Sequence, residues 1–211
     1  MTIAPSSHPT LRCFAATALL LAASGVQAED DWTLAKSKDG VEIYTREVPG
    51  SVFKEFRATV QIPAPLARVV EWYQDPSTYP EWIDRCAEAR RVETADGGPA
   101  NYVRFDFPFP ASDRDVVLRG QPSVQTPTKV VFEVTNIDGA VPETPGVVRI
   151  PMIRGRWEFR SHGDDATDVI YSQHADAGGR LPAFIVNRTS VDSPYGTLSG
   201  LARYAARNHS R

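Results

Sequence analysis

The 211-residue sequence contains little cysteine and little histidine, and it has no strong excess of either charge. Its two cysteines are Cys13 and Cys86, and its four histidines do not occur at the spacing typical of metal ligands. The formal net charge is only -3, so no basic surplus predicts nucleic-acid binding or electrostatic docking on anionic membranes. The sequence also lacks a G-x-S-x-G motif, a phosphate-binding loop and a dinucleotide-binding motif. We therefore expect no metal, no cofactor and no covalent catalysis.

The first 28 residues differ in composition from the rest of the chain. One basic residue precedes the apolar run 13–23, and Val26-Gln27-Ala28 has the small residues of a cleavage site. This layout predicts a secretory signal peptide over 1–28, because the apolar run is too short to span a bilayer comfortably. The alternative is an N-terminal membrane anchor. Export, with a Gram-negative periplasm as the expected compartment, would leave a single domain over 29–211 that has no internal disulfide.

Strand-like segments dominate the middle of the chain. An Asp39-Gly40 turn joins the first two segments, residues 52–62 alternate as a third, and residues 65–75 have the apolar spacing of a short helix. About six further strands follow, each ended by Gly, Pro, Asp or Ser. Short turns between sequential strands favour an antiparallel sheet, and a twisted sheet of this size tends to curl.

The C-terminal residues 182–208 have the periodicity of a long helix. Its apolar positions include Phe184, Ile185, Val191, Tyr195, Leu198 and Leu201. Pro194 predicts a kink or a restart, with Asp192 or Ser193 as the cap of the second part. Gly196 and Gly200 lie four residues apart, which leaves room either for a ligand or for close packing on the sheet. One long helix seated in a curved antiparallel sheet is an α+β helix-grip fold.

Several short motifs occur in a familiar order along the chain. They are Tyr102, Pro108-Phe109-Pro110, Arg114-Asp115, Val148-Arg149, Gly155-Arg156-Trp157, residues 167–171, residues 176–182 (DAGGRLP) and Val186-Asn187. Each motif is weak alone, but their order and spacing resemble the START domain, the lipid transfer domain related to steroidogenic acute regulatory protein, over 32–208. The resemblance implies a hydrophobic tunnel between the curved sheet and the last helix that holds one lipid. It also implies access through that helix and the loop 106–113.

The access loop and the strand after it contain the first candidate ligand-binding residues. Phe107 and Phe109 predict a lid over the tunnel mouth or a membrane-touching tip, and packing on the ordinary core is the alternative. Arg114 shares a strand face with Val116 and Leu118. A charge on an apolar face needs a carboxylate partner or a polar ligand group, unless Arg114 belongs to a surface cluster instead. The candidate partners are Glu93, Asp96 and Asp106.

Five more residues complete the predicted ligand-binding set. They are Trp157, Tyr171, His174, Phe184 and Tyr195. His174 would donate to a ligand head group or act as a general base, and a structural role is the alternative. Arg154, Arg156 and Trp157 would touch a membrane, and an outward strand face is the favoured alternative for all three. Asn187, which begins an N-R-T glycosylation sequon, is expected to hydrogen-bond locally at the helix entrance.

These observations favour a monomeric protein that binds a single hydrophobic ligand, expected to be a lipid, and carries or shields it. Such a protein would contact membranes transiently and would not bind nucleic acid. Two other classes stay open. The first is a helix-grip enzyme of the polyketide cyclase or aromatase type, for which His174, Asp176 and Arg114 are the suggestive polar residues. The second is a sensor that binds a lipid and signals to a protein partner.

Overall fold

In the computed structural model the chain forms a curved sheet and three α-helices. The structure describes residues 1–2, 31–179, 181 and 183–208, with residues 183–186 described by their backbone alone. From Asp31 onward the described residues form one compact unit. The predicted signal peptide thus lies outside the described residues, apart from the first two. Within the described ranges, no helix combines the length and the apolar character that crossing a membrane requires.

Ten strands form the sheet. They are β1 Thr33–Lys38, β2 Val41–Arg46, β3 Glu55–Ile62, β4 Cys86–Glu93, β5 Pro99–Phe105, β6 Arg114–Thr126, β7 Lys129–Asn136, β8 Val148–Arg149, β9 Met152–His162 and β10 Ala166–Asp176. Nine of them are hydrogen-bonded in the order β1-β2-β3-β10-β9-β7-β6-β5-β4, with every pair antiparallel. The two-residue strand β8 is parallel to β6. The predicted antiparallel sheet is confirmed.

The helices cover the concave face of the sheet. They are α1 Leu66–Gln74, α2 Tyr79–Trp82 and α3 Ala183–Asn208. Helix α3 has 26 residues, which corresponds to about 39 Å. The predicted restart at Pro194 is wrong, because α3 continues through this residue. Asp192 does not act as the cap of a second helix; its carboxylate binds the Lys36 ammonium at 3.1 Å and so ties α3 to β1.

An aromatic cluster forms the core beneath helix α1. The rings of Trp157 on β9 and Tyr171 on β10 stack with centroids 3.9 Å apart, and Tyr73 of α1 packs against Trp157, Phe132 and Phe159. The alternative of an outward Trp157 is therefore wrong. β9 alternates, and Trp157 shares the inner face with Phe159, whereas Arg156 faces outward and binds Glu133 and Glu158.

Two glycines of α3 allow the helix to approach the segment after α2 closely. A Cβ added at Gly200 would lie 2.2 Å from the Trp82 carbonyl oxygen, and one added at Gly196 would lie 2.7 Å from Oδ1 of Asp84. The sequence left two explanations for this glycine pair, room for a ligand or close packing on the sheet. The close contact supports packing, but the partners are α2 and the residues after it rather than the sheet. This contact fixes the second half of α3 over the sheet.

Candidate functional site

A cavity of about 860 Å³ lies between the curved sheet and the helices. Inward-facing side chains of β3, β5, β6, β7, β9 and β10 line it, together with α1, α2 and the first half of α3. The apolar and aromatic part of the lining includes Phe56, Tyr73, Trp82, Val103, Phe105, Leu118, Phe132, Val134, Ile153, Trp157, Tyr171 and Ala175. A volume of this size with a mainly apolar lining and a few polar groups is typical of a small-molecule site.

The charged lining residues fall at two ends of the cavity. At one end, here called the mouth, the access loop 106–113 meets the residues after α2 and the first half of α3. Its charged residues include Asp84, Arg85 and Asp192. The other end lies beside the C-terminus of α1, where Gln74, Arg91 of β4 and Pro99 of β5 line the cavity and are exposed to solvent. Phe105 and Pro99 mark the two ends along β5, and six residues of strand separate them by about 20 Å.

Four of the ten predicted ligand-binding residues line this cavity. They are Phe107, Leu118, Trp157 and Tyr171. Phe107 is half-buried at the mouth, Leu118 lies midway along β6, and the other two form the stacked aromatic pair. The hydroxyl of Tyr171 donates to Oε1 of Gln173 at 2.8 Å, and burial raises its pKa well above the usual range. Tyr171 therefore stays neutral at physiological pH.

The other predicted residues whose side chains the structure describes do not line the cavity. Val116 is fully buried on the inner face of β6, and Phe109 is 97% exposed at the tip of the access loop. Nε2 of His174 lies 3.0 Å from Oγ of Ser51, on the outer face of β10. Tyr195 donates from its hydroxyl to Asp39 at 2.6 Å. The side chain of Phe184 lies outside the described residues.

Arg114 lies on the inner face of β6, as its strand neighbours predict, but it is covered by the access loop. The side chain is buried, its guanidinium lies 4.6 Å from the centre of the Phe107 ring, and it donates to the Ser112 carbonyl. Burial lowers the pKa of Arg114, while the nearby carboxylate of Asp113 acts in the opposite direction.

The predicted acid partners of Arg114 are wrong. Asp96 lies in the β4–β5 turn and instead binds the guanidinium of Arg119, which faces away from the cavity. Neither Glu93 nor Asp106 forms an ion pair with Arg114 within the described part of the chain. The access loop itself, through a backbone carbonyl and an aromatic face, takes the place of the expected carboxylate.

Helix α3 and the loop between β2 and β3 are joined at the mouth. Oδ1 of Asn187 accepts a hydrogen bond from the Lys54 amide at 3.0 Å, and its Nδ2 donates to the Val52 carbonyl at 3.4 Å. Asn187 was expected to hydrogen-bond locally at the helix entrance. Its side chain instead binds the backbone of the loop between β2 and β3. The first half of α3, this loop and the access loop together border the mouth.

Several polar residues of the cavity were not predicted from the sequence. Tyr73, Arg91, Asn101 and Gln173 all line it. Strand alternation could have placed Asn101 inward, since Val103 and Phe105 share its face of β5. The described residues contain no cluster of His, Cys, Asp or Glu able to hold a metal ion.

Comparison with known proteins identifies the family. The START domain family matches residues 14–193. The chain belongs to the START domain family. The crystal structure of a STAR-related lipid transfer protein from Xanthomonas axonopodis superposes on this START domain with a TM-score of 0.76 and 31% identity. The superposition covers 84% of this chain and 99% of that one. The helix-grip arrangement of sheet and last helix is thus shared with a solved relative.

Two curated proteins resemble this START domain along most of their length. An uncharacterized protein of Pseudomonas aeruginosa is 30% identical over 90% of this chain and 95% of its own length. The phosphatidylcholine transfer protein of Rattus norvegicus is 23% identical over 86% of both chains.

Proposed function

We propose that this START domain binds a single amphiphilic lipid in its cavity, shields it from water and carries it between membranes. The observation that carries this proposal is the cavity of about 860 Å³ whose wall is mainly aliphatic and aromatic. Burial of the ligand's apolar surface would retain it with roughly 25 cal/mol per Å² removed from water. The names of the Xanthomonas and rat relatives, which describe lipid transfer, support the same function.

We further propose that the mouth is the surface that contacts membranes. Phe109 in the access loop is 97% exposed, and Val52 in the β2–β3 loop is 67% exposed. Both loops border the mouth, since Phe107 lines the cavity there and the Val52 carbonyl is bonded to Asn187 of α3. With a formal net charge of -3, insertion of these apolar tips is a better basis for transient contact than charge attraction.

Binding is favoured over catalysis because the polar residues that an enzyme would need are dispersed. His174 is paired with Ser51 on the outer face of β10, and Arg114 is covered by Phe107. The carboxylate of Asp176 accepts a hydrogen bond from the Gly178 amide at 2.9 Å. General acid–base chemistry requires such groups to converge on one substrate position. We therefore propose a non-enzymatic carrier that acts as a monomer.

We propose that the protein is exported to a periplasm, on the basis of the apolar run and the Val26-Gln27-Ala28 site. N-terminal sequencing of protein recovered from the periplasmic fraction tests this directly. A first residue near Glu29 is the expected result. An intact N-terminus found in the membrane fraction would show that the first segment is an anchor.

The function is tested by native mass spectrometry of protein purified from its own host. The expected spectrum shows one bound amphiphile per chain, which organic extraction releases for identification. Delipidated protein should then take up the same molecule and deliver it from donor to acceptor vesicles. Protein that carries no small molecule and accelerates no transfer would contradict the proposal.

A further inference from the structure

The end of the cavity opposite the mouth is bordered by residues that solvent reaches. They are Gln74, Arg91, Pro99, Gly120 and Pro122, all of which line the cavity and are exposed. The lining just inside them is buried, and it includes Tyr79, Ala100 and Phe132. A buried wall with an exposed border is the geometry of an opening and not of a closed end.

The pairing of the strands explains why the sheet does not close this end. The last pair between β5 and β6 is Asn101 with Leu118. Strand β6 then continues to Thr126 with β7 as its one neighbour among the described strands. The turn between β4 and β5 is joined to β6 by a side chain instead, since Arg119 binds Asp96 at 2.7 Å on the face away from the cavity. A gap therefore begins where β5 and β6 separate.

The residues at this gap suit an edge that stays open. Pro99 and Pro122 have no backbone N–H, so neither leaves a donor unpaired where strand pairing ends. Gly120 lacks a positive φ, and a Cβ added there would meet the Tyr73 hydroxyl at 3.4 Å, an ordinary contact. Neither backbone conformation nor crowding requires glycine at this position. Its effect is to leave space at the gap.

The helical side of the gap is fixed by hydrogen bonds. The Arg91 guanidinium donates to the Gln74 carbonyl at 2.7 Å, and the Tyr79 hydroxyl donates to the Tyr73 carbonyl at 2.7 Å. Nδ2 of Asn101 donates to the Tyr79 hydroxyl at 3.3 Å. These bonds join the last turn of α1 to β4 and β5. The border of the gap is thus made of helix and strand, whereas the mouth is covered by the access loop.

We infer that this gap is a second opening, which makes the cavity a channel open at both ends that accepts a linear, single-chain ligand longer than itself. This inference rests on the proposed function and specifies the shape of its ligand. The two openings lie about 20 Å apart along β5. A longer chain passes through the channel, with one terminus at the mouth and the other emerging beside Gln74 and Pro122. A closed end would instead set an upper limit on chain length.

A spin-labelled chain tests the inference without assuming the direction of binding. Delipidated protein is loaded with docosanoate that carries a nitroxide near the carboxylate, at mid-chain or near the methyl end. Collision with a water-soluble nickel chelate then measures how far each label is exposed. We expect both terminal labels to be accessible and the mid-chain label to be protected, because only a channel open at both ends exposes both termini.

Variants of β6 and α1 locate the second opening. Gly120→Leu places a side chain in the gap, and we expect it to protect one of the two terminal labels. Gln121→Leu is the matched control, because Gln121 is the next residue of β6, is exposed and pairs with Glu133 on the other face. Gln74→Trp narrows the gap from α1 and should have the same effect as Gly120→Leu. Thermal unfolding checks that each variant is folded.

Unlabelled acids provide a second readout. In wild-type protein, affinity should rise about fourfold per added methylene until the chain fills the channel and then stay constant. In Gly120→Leu, affinity should fall again for chains longer than the channel, whereas Gln121→Leu should behave as wild type.

Two results would overturn the inference. One is a wild-type complex in which one terminal label is as protected as the mid-chain label. The other is accessibility of both terminal labels that Gly120→Leu and Gln74→Trp leave unchanged. Either result, with the acid bound, rejects the second opening and leaves the carrier function standing. If none of the acids binds, the proposed carrier function fails together with the inference.

Discussion

The guanidinium of Arg114 and the ring of Phe107 lie 4.6 Å apart, so a buried arginine and the access loop hold each other in place. Because this arginine has an aromatic face and a carbonyl as partners, its loss leaves no carboxylate buried and unpaired. We expect Arg114→Met to lower the free energy of unfolding by about 1–2 kcal/mol and to accelerate ligand exchange. Denaturant unfolding and stopped-flow ligand release measure the two effects.

Arg149→Met is the matched control for this prediction. Arg149 binds Asp115 through Nε at 2.7 Å and Nη2 at 3.1 Å, and Asp115 is fully buried. Removing Arg149 leaves that carboxylate unpaired, so we expect a loss of about 3–5 kcal/mol. An Arg114→Met variant as unstable as Arg149→Met, with unchanged ligand exchange, would show that Arg114 is a structural residue without a role at the mouth.

The two phenylalanines of the access loop should have separable roles. Phe107→Ser removes a side chain that lines the mouth, and we expect it to change ligand uptake and release in solution. Phe109→Ser removes an exposed tip, and we expect it to weaken vesicle binding and slow transfer without changing uptake of a soluble ligand. Leu34→Ser is the control, because Leu34 is also exposed, at 51%, but lies on the edge strand β1. Equal effects of Phe109→Ser and Leu34→Ser on transfer would contradict docking by the mouth.

The sequence predicted the sheet and the long helix well because both follow from local patterns. The Asp39-Gly40 turn between β1 and β2 has positive φ at both residues, as its sequence indicates. Alternation placed Arg114 on the inner face together with Val116 and Leu118. The restart predicted at Pro194 did not occur, because α3 continues through this residue despite the missing backbone hydrogen-bond donor.

The candidate site was less predictable because it depends on long-range neighbours. No local pattern shows that the access loop folds back on Arg114, or that Asp96 in the β4–β5 turn reaches Arg119 on β6. Asn101 and Arg91 become partners only through the register of β4 and β5. Their shared position at the cavity therefore emerges when strand pairing is known, although the inward position of Asn101 could have been read from alternation alone.

Gly200 and Gly196 should differ in their tolerance of a methyl group. At Gly200 the added carbon meets the Trp82 backbone carbonyl, so α3 or α2 must shift. At Gly196 it meets the carboxylate of Asp84, a side chain that can rotate away. We expect Gly200→Ala to cost about 3 kcal/mol and Gly196→Ala about 1 kcal/mol or less. Equal denaturant midpoints for the two variants would show that α3 is not fixed by this contact.

The ion-pair cluster around Glu158 should make stability depend on acid pH. Burial alone would raise the pKa of Glu158, but hydrogen bonds from Arg156, Lys129 and Arg160 lower it to about 2. A folded-state pKa below the unfolded value gives stability that is present above about pH 5 and is lost as the pH falls towards 2. We expect Glu158→Gln to be less stable than wild type by on the order of 2 kcal/mol at pH 7. Urea unfolding from pH 7 to 3 should show that the difference in unfolding free energy between the two proteins shrinks. If the difference stays constant, the variant loses stability through packing and not through the ion pairs.

Photo-crosslinking with an alkyl-diazirine lipid tests most directly whether the cavity holds the ligand. After irradiation and proteolysis, mass spectrometry maps the residues that carry the probe. Lipid bound in the cavity should label β6 near Leu118, β9 near Trp157 and β10 near Tyr171, and excess unlabelled lipid should remove these adducts. Labelling confined to the exposed side chains of Leu34, Val52 and Phe109 would contradict a cavity-bound ligand.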